Sequence, residues 1–227
     1  MSRPRAGRLN TRSLLSGYRG ADRAHVAVRL ATCPFARIDR ALPMEGDVVD
    51  LACGHGHLVL LLASGAPGRR VLGVDIDGRK IERARAAALA LDLAPPRAVF
   101  DVIEDGWVPD GPLAAATVVD ALYLFPLDAR EPSIRHLARA LAPGGVLLVK
   151  EMDLSRRVKA GIARAGEVVM TQVAGITASA DDASVEFADP AEIQRWMADE
   201  GLVTSIERWD RGYPVPHLAI LGRRATG

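Results

Sequence analysis

The sequence predicts one doubly wound α/β domain with a mostly parallel sheet of seven strands, the final strand antiparallel. Short apolar runs alternate with stretches of helical length, the rhythm of parallel strands joined by crossover helices. The first run ends in a turn holding Gly54 and Gly56, and the second closes on Asp75. The last two runs are joined by Arg211-Gly212-Tyr213-Pro214, a connection that suits an antiparallel pair and is too short for a crossover.

The elements follow in order. Residues 1–45 read as a helical N-terminal extension: 21–30 has mixed helical character, Pro34 interrupts it, and Pro43 and Gly46 close it. Its arginines Arg3, Arg5, Arg8, Arg12, Arg19 and Arg23 read as a solvated, frayed arm. Strands are expected over 48–52, 71–74, 98–103, 117–122 and 146–149, each apolar enough for burial on both faces. Helices are expected over 58–63, 79–91 and 133–141, with Pro143-Gly144-Gly145 stopping the last. A further helix is expected over 156–178. Asp189 and Pro190 suit the cap and first position of another that runs to about 200. Strands over 203–209 and 217–222 finish the sheet.

Bulk properties narrow the function. The chain has 227 residues, 49% hydrophobic and 25% charged, enough for one buried core. Aromatic residues are only 4%, so that core is aliphatic. A net charge of +1 predicts no general attraction to nucleic acid or to an anionic membrane. No apolar stretch reaches the roughly 18 residues of a membrane span, and no apolar segment of a secretory signal follows the basic N-terminus. Cys33 and Cys53 lie too far apart for a CxxC motif, so no disulfide scaffold or metal site is expected. A soluble, cytoplasmic protein is the expectation.

The chemistry centres on Val49-Asp50-Leu51-Ala52-Cys53-Gly54-His55-Gly56. Glycines let a backbone approach a ligand closely, and the amides opening the next helix favour a carboxylate. Asp75 lies about twenty residues on, where an acidic side chain meets ribose hydroxyls in nucleotide-binding α/β folds. A dinucleotide fingerprint needs a third Gly or Ala three residues after the second glycine, and Val59 stands there.

The sequence resembles the class I S-adenosylmethionine-dependent methyltransferases, whose fold is Rossmann-like. VVDLACGHG is similar to their first motif and VLGVDID to their second. LARALAPGGVLLVKE resembles the segment around their fifth strand, and DPAEIQRWMADEGL their last helix. The resemblance spans about 47–223 and makes 46–227 the methyltransferase domain, with a lid or insert helix at 155–185. It implies S-adenosylmethionine as methyl donor and S-adenosylhomocysteine as product. It assigns the methionine end to Asp50, the Ala52 carbonyl and the Gly54–Gly56 backbone. It assigns ribose to Asp75, the adenine face to Ile76, and the adenine amino group to Glu104 with Asp105 beside it. Asp101 lies close enough to leave that register open. Asp120 and Ala121 would flank the sulfonium. His55 and Ala52 depart from the usual pattern, the former standing where a small or hydroxyl residue is common and the latter where a glycine is.

Methyl transfer needs alignment and exclusion of water, and a base only where the nucleophile must lose a proton. Tyr123 follows the fourth strand, Glu151 ends the fifth and His217 begins the last; these are the candidate catalytic residues. Val168, Val169, Met170 and Val173 give the 156–178 helix an apolar face suited to a homodimer contact or to a small, partly hydrophobic acceptor such as a lipid, polyketide or aromatic compound. The residues after the fourth strand, Asp120-Ala121-Leu122-Tyr123, lack the Asn-Pro-Pro-Tyr pattern of methyltransferases acting on DNA bases and glutamine. An NAD(P)-dependent oxidoreductase and a non-catalytic adenosine-ligand-binding protein are the competing readings, because fold alone does not fix function.

Overall fold

The computed structural model describes residues 10–152 and 187–227. The expected lid at 155–185 and the helix over 156–178 lie outside the described residues, as do Arg3, Arg5 and Arg8. The strands are β1 (Glu45–Leu51), β2 (Gly68–Asp75), β3 (Ala98–Val102), β4 (Leu113–Val119), β5 (Leu141–Met152), β6 (Leu202–Arg208) and β7 (His217–Arg224). They form a seven-stranded sheet in the order β3-β2-β1-β4-β5-β7-β6. The first five are parallel, and β7 runs antiparallel to both β5 and β6, as the sequence predicts. The strand order reverses between β1 and β4, which opens a crevice at their carboxyl ends.

Helices are α1 (Thr11–Ser16), α2 (Gly20–Thr32), α3 (Phe35–Ala41), α4 (His57–Gly65), α5 (Gly78–Ala90), α6 (Leu127–Arg139) and α7 (Pro190–Asp199). Local chemistry explains several ends. Asp77 caps α5 through the Arg79 and Lys80 amides, and Asp189 caps α7 through the Ala191 amide at 2.8 Å with Pro190 following. Helix α4 is apolar on every side, so it must be covered on every side. The sheet covers one face, and α1 and α3 cover the other.

The N-terminal segment therefore differs from the frayed arm expected of it. Leu14, Tyr18, Val26, Phe35 and Ile38 are buried in the same core as α4 and α5. Arg12, Arg19 and Arg23 do stay exposed, Arg12 and Arg23 on folded helices and Arg19 at the extended position just before α2. Arg69 on β2 ties this layer down: its side chain is fully buried, paired with Asp39 at 2.5 Å and donating to the Pro43 carbonyl at 2.6 Å.

Several boundaries depart from expectation, among them that of β4, which spans Leu113–Val119 rather than 117–122 because residues 122–124 form a 3-10 turn. Helix α6 begins at Leu127 and carries Pro132 within it. Arg130 anchors this early start by donating to the carbonyls of Phe125 and Tyr123. Strand β5 begins at Leu141 and so includes the Pro-Gly-Gly segment. The sheet absorbs it by a register shift: Leu113 faces Leu141, but Ala115 faces Val146.

Candidate functional site

A cavity of about 820 Å³ opens at the carboxyl ends of β1, β2 and β4. Its floor is the bend after β1. Ala52 and Gly54 there have φ of 59° and 55°. Nothing stands within 4 Å of where a Gly54 side chain would be, so this glycine leaves open space beside the cavity. The Gly54 amide donates to Asp75 Oδ2 at 2.8 Å, and the Asp77 amide donates to Oδ1 at 2.9 Å. Each Asp75 oxygen keeps a further lone pair for a ligand hydroxyl.

Beyond Asp75, Ile76 is 67% exposed and lines the cavity, an apolar group facing open space. Glu104, Asp105 and Trp107 form the opposing rim. Asp101, the alternative register, is instead ion-paired with Arg85 at 3.1 Å and does not line the cavity.

Towards β4 the cavity becomes charged and buried. Thr117 Oγ1 donates to Asp50 Oδ1 at 2.6 Å. Burial, reinforced by the Asp75 charge, raises the Asp50 carboxyl to about 7. Asp120 directly follows β4 with φ of 52°. Lys150 Nζ lies 2.6 and 2.7 Å from its two oxygens, and Arg29 Nη1 lies 2.7 Å from Oδ2. Burial alone would raise the Asp120 carboxyl, but Lys150 and Arg29 together hold it below the usual carboxylate range. Tyr123 follows on a short 3-10 turn (Leu122–Leu124) with its ring 4.8 Å from that of Phe187. Burial and the Asp120 charge push its phenol upward, so it stays protonated at neutral pH.

Nine of the ten expected cofactor residues line this one cavity: Asp50, Ala52, Gly54, Asp75, Ile76, Glu104, Asp105, Asp120 and Ala121. The tenth, Gly56, does not. Its φ is 71°, and a Cβ there would collide with the Phe100 ring and lie 2.8 Å from Ala84, so this glycine serves packing of α4 on α5 and β3. Among the catalytic candidates only Tyr123 lines the cavity. Glu151 is buried with Oε1 accepting the Leu122 amide at 3.0 Å, and burial raises its carboxyl to about 8. His217 is buried against the end of α2, its Nε2 2.7 Å from the Thr32 carbonyl. Burial and then Lys150 lower it to about 4.

The sequence reading missed one wall altogether. Ala24, His25, Val28 and Arg29 line the cavity from one face of α2, with Phe35 of α3 beside them. Their spacing, one helical turn apart, was the available signal. His55 is held by Asp22 of α2 at 3.2 Å and its carbonyl accepts the Tyr18 hydroxyl at 2.8 Å, so its side chain fastens the bend to the N-terminal layer.

A nucleoside with an amino-acid tail fits this lining: Asp75 for a diol, Ile76 for a flat base, Asp50 and the bend for the tail. Comparison with known proteins decides between such ligands. Residues 48–145 match the family model described as a methyltransferase domain. Residues 48–145 are thus a methyltransferase domain. Over 112 residues the chain is 35% identical to a trans-aconitate 2-methyltransferase of Paracidovorax citrulli, spanning 49% of this chain and 41% of that one. Over 104 residues it is 36% identical to a demethylmenaquinone methyltransferase of Thermus thermophilus, covering 46% of each. The chain thus spans less than half the length of these curated relatives. The solved magnesium protoporphyrin IX methyltransferase of Synechocystis with bound S-adenosylhomocysteine superposes with a TM-score of 0.62 at 17% identity, over 92% of this chain and 89% of that one; this likeness shows the fold. The methyltransferase domain contains the bend, Asp75 and Asp120, whereas the α2 wall lies before it.

Proposed function

We propose that this chain transfers the methyl group of S-adenosylmethionine to a small-molecule acceptor and releases S-adenosylhomocysteine. One observation carries the reading: the glycine bend, the Asp75 carboxylate, Ile76 and the buried Asp50 all line a single cavity inside the matched methyltransferase domain. Asp75 would hold the ribose, Ile76 and Glu104 the adenine, and Asp50 with the Ala52 carbonyl the amino-acid end. The methyl donor supplies an electrophilic carbon. The acceptor's lone pair forms the new bond as the carbon–sulfur bond breaks and its electron pair stays on sulfur. The protein's part is to align the two and exclude water.

Val28, Phe35, Leu124, Phe125 and Met152 line the cavity around Tyr123. They support an acceptor that is partly hydrophobic and small. Tyr123 is the candidate to contact it. We give Glu151 and His217 structural parts, since neither lines the cavity. Among the described residues no helix is long and apolar enough to cross a membrane. Both cysteines are free and buried, which supports a reducing compartment such as the cytoplasm.

The test is formation of S-adenosylhomocysteine from a methyl-labelled donor in the presence of trans-aconitate, a demethylated quinone or a cell extract stripped of protein. Label in the small-molecule fraction supports the reading. Donor binding without transfer to any of these contradicts it.

A further inference from the structure

Arg29 lies outside the matched methyltransferase domain, yet it reaches the cavity from α2. The one hydrogen bond of its guanidinium among the described residues is from Nη1 to Asp120. Asp120 already has a counter-charge in Lys150, which is wholly buried and contacts both carboxylate oxygens. Two cations therefore share one carboxylate.

Among the described residues, the neighbouring groups do not supply a second anion. Glu151 Oε1 accepts the Leu122 amide, and Oε2 is buried without a partner among the described residues. Burial and the Asp120 charge raise this carboxyl to about 8, so it is mostly protonated at neutral pH. His25 is lowered to about 4 by burial and by His55, and is neutral. Asp50 faces Thr117. The Arg29 side chain is 15% exposed, so solvent screens its charge poorly. The Phe35 ring lies 5.8 Å from its Cζ and helps hold the guanidinium. A planar guanidinium with an unused N–H edge beside a cavity is a preorganised receptor for a carboxylate.

We propose that Arg29 binds a ligand carboxylate on the N–H edge that Asp120 leaves open. This rests on the methyltransferase reading. The carboxylate has two sources, the amino-acid tail of the methyl donor or the acceptor itself. In both cases α2 is part of the ligand site, in keeping with Ala24, His25 and Val28 lining the same wall.

Calorimetry on the wild type, Arg29→Met and Arg29→Lys, with S-adenosylhomocysteine and with 5′-methylthioadenosine, separates the sources, because the second ligand lacks the tail carboxylate. A parallel assay measures alkali-labile methyl esters formed from labelled donor on benzoate, decanoate and citrate. If the tail is the source, Arg29→Met loses about tenfold to a hundredfold in affinity for S-adenosylhomocysteine and none for methylthioadenosine. If the acceptor is the source, both affinities hold and ester formation falls by a similar factor. Arg29→Lys keeps the Asp120 ion pair, so it reports should the Met variant not fold; its loss is expected to be partial, because the second N–H edge is gone. Unchanged donor-product affinity in the variants, together with ester formation that is unchanged in them or absent from wild type and variants alike, overturns the assignment. A folded wild type that binds neither nucleoside removes the methyltransferase reading itself, a separate outcome.

Discussion

The Gly54 amide and the Asp75 carboxylate are hydrogen-bonded at 2.8 Å, so the bend after β1 and the end of β2 form one unit. Losing Asp75 should therefore cost both ligand and fold. Asp75→Ala is expected to weaken S-adenosylhomocysteine binding by about 1–3 kcal/mol. It should also lower stability, because the Gly54 amide loses its acceptor. Asp75→Asn retains an acceptor for that amide and separates the two effects. Calorimetry paired with thermal melts checks this; full affinity in a folded Asp75→Ala protein refutes the ribose assignment.

Ala52 stands in the left-handed region at φ of 59°, where a side chain is strained. Ala52→Gly should relieve that strain while adding unfolded-chain entropy, for a net gain of about 0.5–1 kcal/mol. Denaturant unfolding measures it. A destabilised Gly variant would mean that the Ala52 methyl contributes packing worth more than the strain.

Burial and Asp75 raise the Asp50 carboxyl to about 7, against 3.8 for an ordinary aspartate. Between those values the folded chain keeps a proton that the unfolded chain has lost. This group therefore makes stability fall as pH rises from about 4 to 7. Asp50→Asn can still accept the Thr117 hydroxyl, so it should be more stable than wild type by about 1–2 kcal/mol near pH 8, with no gain near pH 4. Melts at both pH values decide the sign, and a variant weaker near pH 8 contradicts the raised carboxyl.

His217 behaves oppositely. Its folded value is lowered to about 4 by burial and Lys150, against 6.5 for an ordinary histidine. The unfolded chain binds the proton first, so stability is full above about 6.5 and declines as pH falls towards 4. Glutamine can donate to the Thr32 carbonyl without titrating. His217→Gln should lose about 1–2 kcal/mol less than wild type between pH 7 and pH 5. An unchanged pH slope would show that His217 is not held neutral. His25, His55 and His57 are also lowered by burial and supply the slope that remains.

Much of the site was legible because it is local. The run from Val48 to Gly54, the aspartate at position 75 and the Asp189-Pro190 helix start all encode their geometry within a few residues. What depends on packing was not. The Pro-Gly-Gly segment reads as a stop, but the β4–β5 register absorbs it into a strand. Helix α2 carries Ala24, His25, Val28 and Arg29 on a face that meets a cavity, so it shows little of the apolar stripe that marks a core helix. Gly56 has the sequence signature of a ligand-facing residue, and only the positions of Phe100 and Ala84 reveal that it packs.

Titration of the purified chain with S-adenosylhomocysteine, beside an identical titration with NAD, is the most direct test. The expected result is saturable binding of S-adenosylhomocysteine, weakened in Asp75→Ala, and no binding of NAD. A folded chain that binds NAD, or that binds neither ligand, would contradict the assignment of this cavity to a methyl donor.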